Sequence, residues 1–269
     1  MILIFRKYIV RILLYLSGLT LVAVALWSYL NYGTEVYQTW GEEQIWWTIY
    51  AEASDGPLLK AVSLTGQLVL AFLMGLILSR QIKRNPSAEL SFFYLFLFTF
   101  SLQIFRLPHL FDLSFIQTTS GLITRIVYFS RLLALTSLFA ASLFSSGLQI
   151  QKFGMVLLLT ILTAFTLSSI LPLNISSISG ALLNRVAREE YLALLCIILE
   201  LMTVLTYISA AYNQGRPEYY RLALLSILII AGYEFLFFLH IPFILPGFAC
   251  LVPGVILFIR TSRKLFLWS

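Results

Sequence analysis

The sequence predicts an all-α fold, a polytopic bundle of eight transmembrane helices, and three observations support this prediction. Apolar residues make up 60% of the 269-residue chain and charged residues only 11%, whereas soluble domains average about 45–50% and about 25%. Eight apolar stretches are each long enough to cross a hydrocarbon core about 30 Å thick. Lys and Arg gather on one side of these stretches. We therefore expect a single integral membrane domain over residues 1–269.

The spans are expected to be helices rather than barrel strands because the apolar runs are continuous instead of alternating. Their predicted bounds are residues 8–30, 57–79, 90–107, 121–144, 153–173, 190–212, 221–240 and 242–260. The first span also resembles a signal peptide, with a basic start and a cleavage-like Ala23-Val24-Ala25. Cleavage would leave seven spans. We favour an uncleaved anchor because the apolar run continues to Leu30.

The distribution of Lys and Arg predicts that both termini lie in the cytoplasm, because the membrane side richer in these residues is normally cytoplasmic. The predicted cytoplasmic set is Arg6, Lys7, Arg11, Arg80, Lys83, Arg84, Lys152, Arg216, Arg221, Arg260, Arg263 and Lys264. The opposite set is smaller: Lys60, Arg106, Arg125, Arg185 and Arg188. The net charge of +6 thus reports topology, and it gives no reason to expect nucleic acid as a partner. We expect a bacterial cytoplasmic membrane as the location.

The longest loop, residues 31–56, is expected on the outer side. It combines five carboxylates with several Trp and Tyr residues and has no Lys or Arg. This composition favours a short helix lying on the outer leaflet over a lid for a binding site. In the eighth span, Pro246, Gly247, Pro253 and Gly254 predict a kink that neighbouring helices repair, rather than an opened ligand site.

Five polar residues are predicted to share a layer in the outer half of the bundle. Gln67, Arg131 and Glu200 lie roughly ten residues below the outer ends of their spans, Glu234 about six and Gln103 about four. A charge at the bilayer centre costs about 2.5–3.5 kcal/mol on the lenient insertion scale, so ionised groups should face inward and pair. We expect Arg131 to pair with Glu200 or Glu234, which leaves one carboxyl group in surplus.

Helical spacing supports this inward orientation. Toward the outer ends of the spans, the polar layer includes further residues, which we call the rim. Polar stripes repeat at helical spacing along the sixth span, at Cys196, Glu200, Thr203 and Tyr207. The rim residues are Arg106, His109, Asp112, Arg125 and His240. Together with the five deeper residues they form a hypothetical ligand site for a carboxylate, a phosphate or an anionic headgroup. For the rim residues taken individually, we favour snorkelling toward lipid phosphates over ligand binding.

Below Arg131 the sequence predicts no charged pathway to the cytoplasm. Apart from the end residues Arg221 and Arg260, the inner halves of the second, third, seventh and eighth predicted spans contain no ionisable group other than the Tyr94 hydroxyl. This pattern favours a sensory or accessory protein that binds a membrane lipid or small ligand on its outer side and signals to a cytoplasmic or membrane protein partner. A small-molecule or ion transporter is the alternative, although alternating access normally leaves polar lining on both sides.

A lipid-headgroup-modifying enzyme is a third hypothesis, with His109 as a base beside Asp112 or Glu234. The sequence contains no HExxH, GxSxG, P-loop or glycine-rich dinucleotide motif. The two histidines are far apart, and the two cysteines, Cys196 and Cys250, have no CxxC spacing. We therefore expect no catalytic centre, no metal and no cofactor.

Overall fold

The structure, a computed structural model, describes residues 2–30, 57–84, 87–110, 114–179 and 181–267. These residues form eight long helices, each long and apolar enough to cross a membrane, so the predicted all-α class is confirmed. The helices are α1 (Ile2–Leu30), α2 (Pro57–Arg84), α3 (Ala88–Gln103), α4 (Ser114–Ser145), α5 (Phe153–Ile170), α6 (Glu189–Gln214), α7 (Glu218–Phe237) and α8 (Ile241–Leu267). The predicted interfacial helix in residues 31–56 lies outside the described residues.

Helix α3 is the central helix of the bundle. Within its membrane-length span 83% of the residues are buried, against 11%, 22% and 22% in α1, α5 and α6. It begins at Ala88, earlier than predicted, because the Ser87 side chain caps the helix by accepting a hydrogen bond from the Leu90 backbone N–H at 3.0 Å. Past Gln103 the chain tightens into a 3-10 helix, Ile104–Leu110, which contains Pro108.

A β-hairpin between α5 and α6 is an element that the sequence analysis did not predict. Strand β1 (Leu173–Ile178) pairs antiparallel with β2 (Asn184–Val186). The backbone N–H of Asn184 donates to Thr124 Oγ1 on α4 at 3.0 Å, which ties the hairpin to the bundle. The tip is apolar, and its residues Leu182 and Leu183 are buried. Burial of this tip stabilises a strand pair that would be marginal alone in water.

Helices α7 and α8 approach each other closely because glycines lie at their contact. A Cβ atom on Gly232 would come within 2.7 Å of the Leu251 backbone N and 2.9 Å of the Gly247 carbonyl oxygen. Helix α8 continues through both Pro246 and Pro253 without a break. The prolines therefore do not open a gap in the helix.

The two ends of the bundle differ in composition. Helices α4 and α6 end together, since Gln214 Nε2 on α6 donates to the Ser145 carbonyl oxygen at 2.7 Å. We call this the basic end, because exposed cations cluster here: Lys152, Arg221, Arg260, Arg263 and Lys264. The opposite end, which we call the hairpin end, contains β1, β2 and the 3-10 helix. The polar layer lies toward the hairpin end.

Candidate functional site

A buried ion pair between α4 and α7 forms the centre of the polar layer. Arg131 Nη2 donates to Glu234 Oε2 at 2.6 Å and Arg131 Nε donates to Glu234 Oε1 at 3.3 Å. The side chains are 8% and 18% exposed. This two-point geometry matches the fork of the guanidinium to the two carboxylate oxygens and holds both groups in a fixed orientation. Of the two acids considered for Arg131, Glu234 is the one that pairs.

The third predicted member, Glu200 on α6, lies beside this pair. Its carboxyl group interacts electrostatically with both Glu234 and Arg131. Cys196, Thr203 and Tyr207, from the same predicted stripe, are buried. The stripe therefore faces the bundle, and Arg131, Glu200 and Glu234 meet where α4, α6 and α7 adjoin.

Arg106 brings a second guanidinium to the same layer. Its side chain is 0% exposed, and Arg106 Nη1 donates to the Phe237 carbonyl oxygen at 2.6 Å and to the Ala181 carbonyl oxygen at 3.3 Å. Arg106 Nη2 donates to Gln103 Oε1, and Arg106 Nε has no hydrogen-bond partner among the described residues. The guanidinium carbons of Arg106 and Arg131 lie 4.2 and 4.3 Å from the centroid of the Phe237 ring, which is cation–π distance.

The presence of Arg106 changes the predicted charge balance. The expectation of one surplus carboxyl group counted Arg131 alone. Glu234 pairs with Arg131 and Glu200 remains as the second acid, while Arg106 adds a second guanidinium to the layer. Placing Arg106 at the rim ignored the 3-10 helix after Gln103, which directs this side chain into the bundle. The two charge types are not symmetrically paired, because Arg106 forms no salt bridge with an acid among the described residues.

The two predicted glutamines connect helices around this cluster. Gln103 Nε2 donates to Ser130 Oγ at 2.6 Å and to Tyr233 Oη at 3.4 Å, which links α3, α4 and α7. Gln67 Nε2 donates to the Leu236 carbonyl oxygen at 3.3 Å, which links α2 to α7. Both amides are buried. Their hydrogen bonds position the end of α7, where Glu234 and Phe237 lie.

The tip of the β-hairpin covers the cluster. Arg106 binds the Ala181 carbonyl oxygen, and His109 Nδ1 lies 2.7 Å from the Leu182 carbonyl oxygen. Leu182 has a φ of 62° and Leu239, in the same apolar cluster, has a φ of 54°. A bulky residue in this left-handed region is strained by about 1–3 kcal/mol, and such strain is common where a structure switches. The hairpin tip thus adopts a strained conformation at Leu182 while it contacts the side chains of Arg106 and His109.

Two other predicted residues, Arg125 and His240, lie apart from the buried cluster in the part of the chain that the structure describes. Arg125 is exposed and lies on another face of α4 from Arg131. His240 is half-buried, and its ring lies 6.4 Å from the Phe243 ring centroid. Asp112 lies outside the described residues. Glu234, one of the two acids considered as a partner of His109 in the enzyme hypothesis, is bonded to Arg131.

A buried acid at the basic end was not among the residues predicted from the sequence. Glu89, in the first turn of α3, is 1% exposed and lies near the hydroxyls of Ser145 and Ser262. Tyr207 from α6 interacts with it electrostatically. Glu89 Oε1, Ser262 Oγ and Tyr207 Oη lack hydrogen-bond partners among the described residues. Glu89 lies one residue before the predicted third span, 90–107, so it was not counted among the ionisable groups of the inner halves. The cap signal Ser87-Ala88-Glu89 marks this helix start.

Comparisons with protein-family models, with curated proteins and with solved structures find no match to this chain. Within the described ranges no three His, Cys, Asp or Glu side chains are arranged to hold a metal ion. Cys196 and Cys250 are free thiols. The buried polar groups described at the hairpin end include two guanidiniums, two carboxyls and their amide and backbone partners.

Proposed function

We propose that this chain is a multi-pass protein of a bacterial cytoplasmic membrane that acts in a sensory or accessory role. In this proposal the basic end lies in the cytoplasm, as the bias of Lys and Arg favours, and both termini lie on that side. The hairpin end then faces outward. The outer polar cluster, by which we mean Arg106, Arg131, Glu200 and Glu234, binds a small ligand or lipid headgroup with a carboxylate or phosphate group. The conformational change that follows binding passes along the helices to a protein partner.

The single observation that supports this proposal best is the state of Arg106. Its buried guanidinium is held by two backbone carbonyls and one amide oxygen, with no carboxylate bonded to it among the described residues. Buried charges are normally paired, because a neutral acceptor offsets only part of the desolvation cost. An anionic ligand would supply the missing charge, and the unpartnered Nε of Arg106 offers a donor for it.

The hairpin supplies a mechanism for the response. The carbonyl oxygens of Ala181 and Leu182 accept hydrogen bonds from Arg106 and His109. The oxygens of a carboxylate or phosphate ligand would accept the same hydrogen bonds. Ligand binding would displace the tip and release the strain at Leu182. The ligand shifts the equilibrium only through its greater affinity for the displaced state. Because Arg106 also binds the end of α7, and α7 contacts α8 closely, displacement alters the position of this helix pair.

Labelling of the hairpin tip tests this proposal. In a variant with Cys196 and Cys250 replaced by Ala, Leu183→Cys introduces a buried thiol at the tip. We expect sodium succinate, sodium phosphate or phosphatidylglycerol vesicles to raise its maleimide-labelling rate by roughly fivefold or more, relative to sodium chloride at equal ionic strength. Arg106→Gln should abolish the increase, and Arg125→Gln, an exposed arginine at the same end, should retain it. The proposal fails if none of the three probes changes the rate, or if Arg106→Gln responds like the parent.

A transporter is the second candidate, and Glu89 is the observation that favours it. The sequence argument against transport was the apolar inner half of the bundle, and Glu89 with Tyr207 and Ser262 places polar groups there. Alternating access normally leaves polar lining on both sides of a central site, and Glu89 supplies such lining toward the basic end. The two candidates differ in one measurable respect, since only a transporter moves an ion or solute across the membrane.

Proton flux separates the two candidates. The sensory proposal predicts that proteoliposomes loaded with a pH-sensitive dye acidify after an external pH jump no faster than protein-free vesicles. Faster acidification that disappears in Glu89→Gln would instead favour the ion transporter, because protons would then cross the membrane by a path that includes Glu89. Glu218→Gln is the matched control, because Glu218 is a half-buried acid in the first turn of α7 at the same end. If proton flux is lost in Glu89→Gln but kept in Glu218→Gln, the proton path depends on the buried acid rather than on surface charge.

A further inference from the structure

A groove of about 700 Å³ lies between α7 and α8 at the basic end, away from the outer cluster. Four exposed cations line it, Arg221 from α7 and Arg260, Arg263 and Lys264 from α8. The residues that line the groove include no carboxylate. We call it the basic groove. Its volume lies within the range of about 300–1,000 Å³ that is usual for small-molecule sites.

The cations of the basic groove are concentrated rather than dispersed. Arg260, Arg263 and Lys264 are spaced by three and four residues, so they lie on one face of the last turns of α8. Like charges at this spacing destabilise a helix slightly. The negative end of the helix dipole offsets part of this repulsion. None of the four cations forms a salt bridge with an acid among the described residues.

The wall of the basic groove is apolar. Leu224 and Leu257 are 67% and 44% exposed, and Leu225 completes the wall. These leucines lie within the membrane-length apolar spans of α7 and α8, on the side of the cations toward the middle of the bundle. A ligand that covers both regions needs an anionic part and, joined to it, an extended apolar part. An acidic peptide or a nucleic acid would satisfy the cations and leave the leucines uncovered.

We propose that the basic groove binds an anionic phospholipid of the inner leaflet. The headgroup phosphate lies among Arg221, Arg260, Arg263 and Lys264, where guanidiniums can form two-point hydrogen bonds with phosphate oxygens. An acyl chain lies along Leu224 and Leu257. Basic pockets between helices on the cytoplasmic side suit such headgroups. Four cations match a lipid with two phosphates better than a lipid with one. The inference rests on the proposed topology and is independent of ligand binding at Arg106.

Lipid titration of the purified, delipidated full chain tests the proposal. We expect a two-phosphate lipid, cardiolipin, to bind more tightly than phosphatidylglycerol, and phosphatidylcholine to bind least, as counted by native mass spectrometry. The double variant Arg260→Gln and Arg263→Gln should weaken cardiolipin binding by roughly tenfold or more. The matched control, Arg80→Gln with Lys152→Gln, removes the same charge from exposed positions outside the groove and should change binding by less than about threefold.

The apolar wall has its own test. Leu224→Gln with Leu257→Gln should weaken binding of intact cardiolipin while leaving the weak binding of inorganic phosphate unchanged. Equal losses in the groove variant and the charge-matched control would overturn the proposal, because any basic surface would then suffice. Binding of phosphatidylcholine as tight as that of cardiolipin would overturn it as well. Unchanged helix content and thermal unfolding of each variant without lipid show that the losses are not caused by misfolding. Hairpin labelling with anions at Arg106 does not depend on any of these results.

Discussion

Replacing Arg131 with Met is expected to lower the free energy of unfolding by about 3–5 kcal/mol, as for other buried ion pairs from which one partner is removed. The reason is that Glu234, held at 2.6 Å by Arg131, would retain a buried carboxylate without its hydrogen-bond donors. The neighbouring Glu200 would add repulsion rather than compensation. Equilibrium unfolding in mixed detergent micelles, followed by loss of helical circular dichroism, measures the change.

Two further variants separate the ion pair from simple loss of packing. The double variant Arg131→Met with Glu234→Met should recover most of the lost stability, because it removes both charges and keeps apolar volume in their place. Arg125→Met, on the exposed face of the same helix, should change stability by less than about 0.5 kcal/mol. A double variant as unstable as Arg131→Met alone would show that the pair is not the source of the loss.

Gly232→Ala is expected to destabilise the chain by about 1–3 kcal/mol, the usual cost of forcing extra volume into a packed interface. The new methyl group would lie within 3 Å of the Leu251 N and the Gly247 O, and both atoms belong to the backbone of α8. A backbone cannot rotate aside as a side chain can, so α8 must move away from α7. The higher helix propensity of Ala, about 1 kcal/mol, offsets only part of this cost.

The matched control for Gly232 is Gly154→Ala in α5, where a Cβ atom would meet nothing within 4 Å. This variant should be as stable as the parent or slightly more stable. Thermal unfolding in detergent measures both variants side by side. Equal stability of Gly232→Ala and Gly154→Ala would contradict the close α7–α8 contact.

The helices could be predicted from the sequence because their number and class depend on long-range composition rather than on individual contacts. A run of about 20 apolar residues is favourable as a helix in lipid wherever it lies in the chain. Helix ends were less predictable, because they depend on single caps. The Ser87 cap moves the start of α3 to Ala88 and brings Glu89 inside the bundle. The hairpin could not be predicted because its strands are short, and burial of Leu182 and Leu183 stabilises them.

The polar layer could be predicted as a set of residues but not as a set of contacts. Arg131, Glu200 and Glu234 stood out because ionisable groups are costly at these positions. Periodicity could not choose between Glu200 and Glu234 as the partner of Arg131, since both lie at similar depth. It also could not place Arg106, whose direction depends on the 3-10 turn before Pro108 and on carbonyl oxygens from α7 and the hairpin.

The amino-acid sequence alone determined that this chain is a bundle of eight apolar helices with a few embedded charges, because hydrophobicity and helical rise are properties of local segments. Only the tertiary structure decided which charges meet, that the hairpin covers Arg106 and His109, and that four cations line one groove beside exposed leucines. These arrangements join residues far apart along the chain. Their distances depend on how the helices pack, which no local pattern encodes.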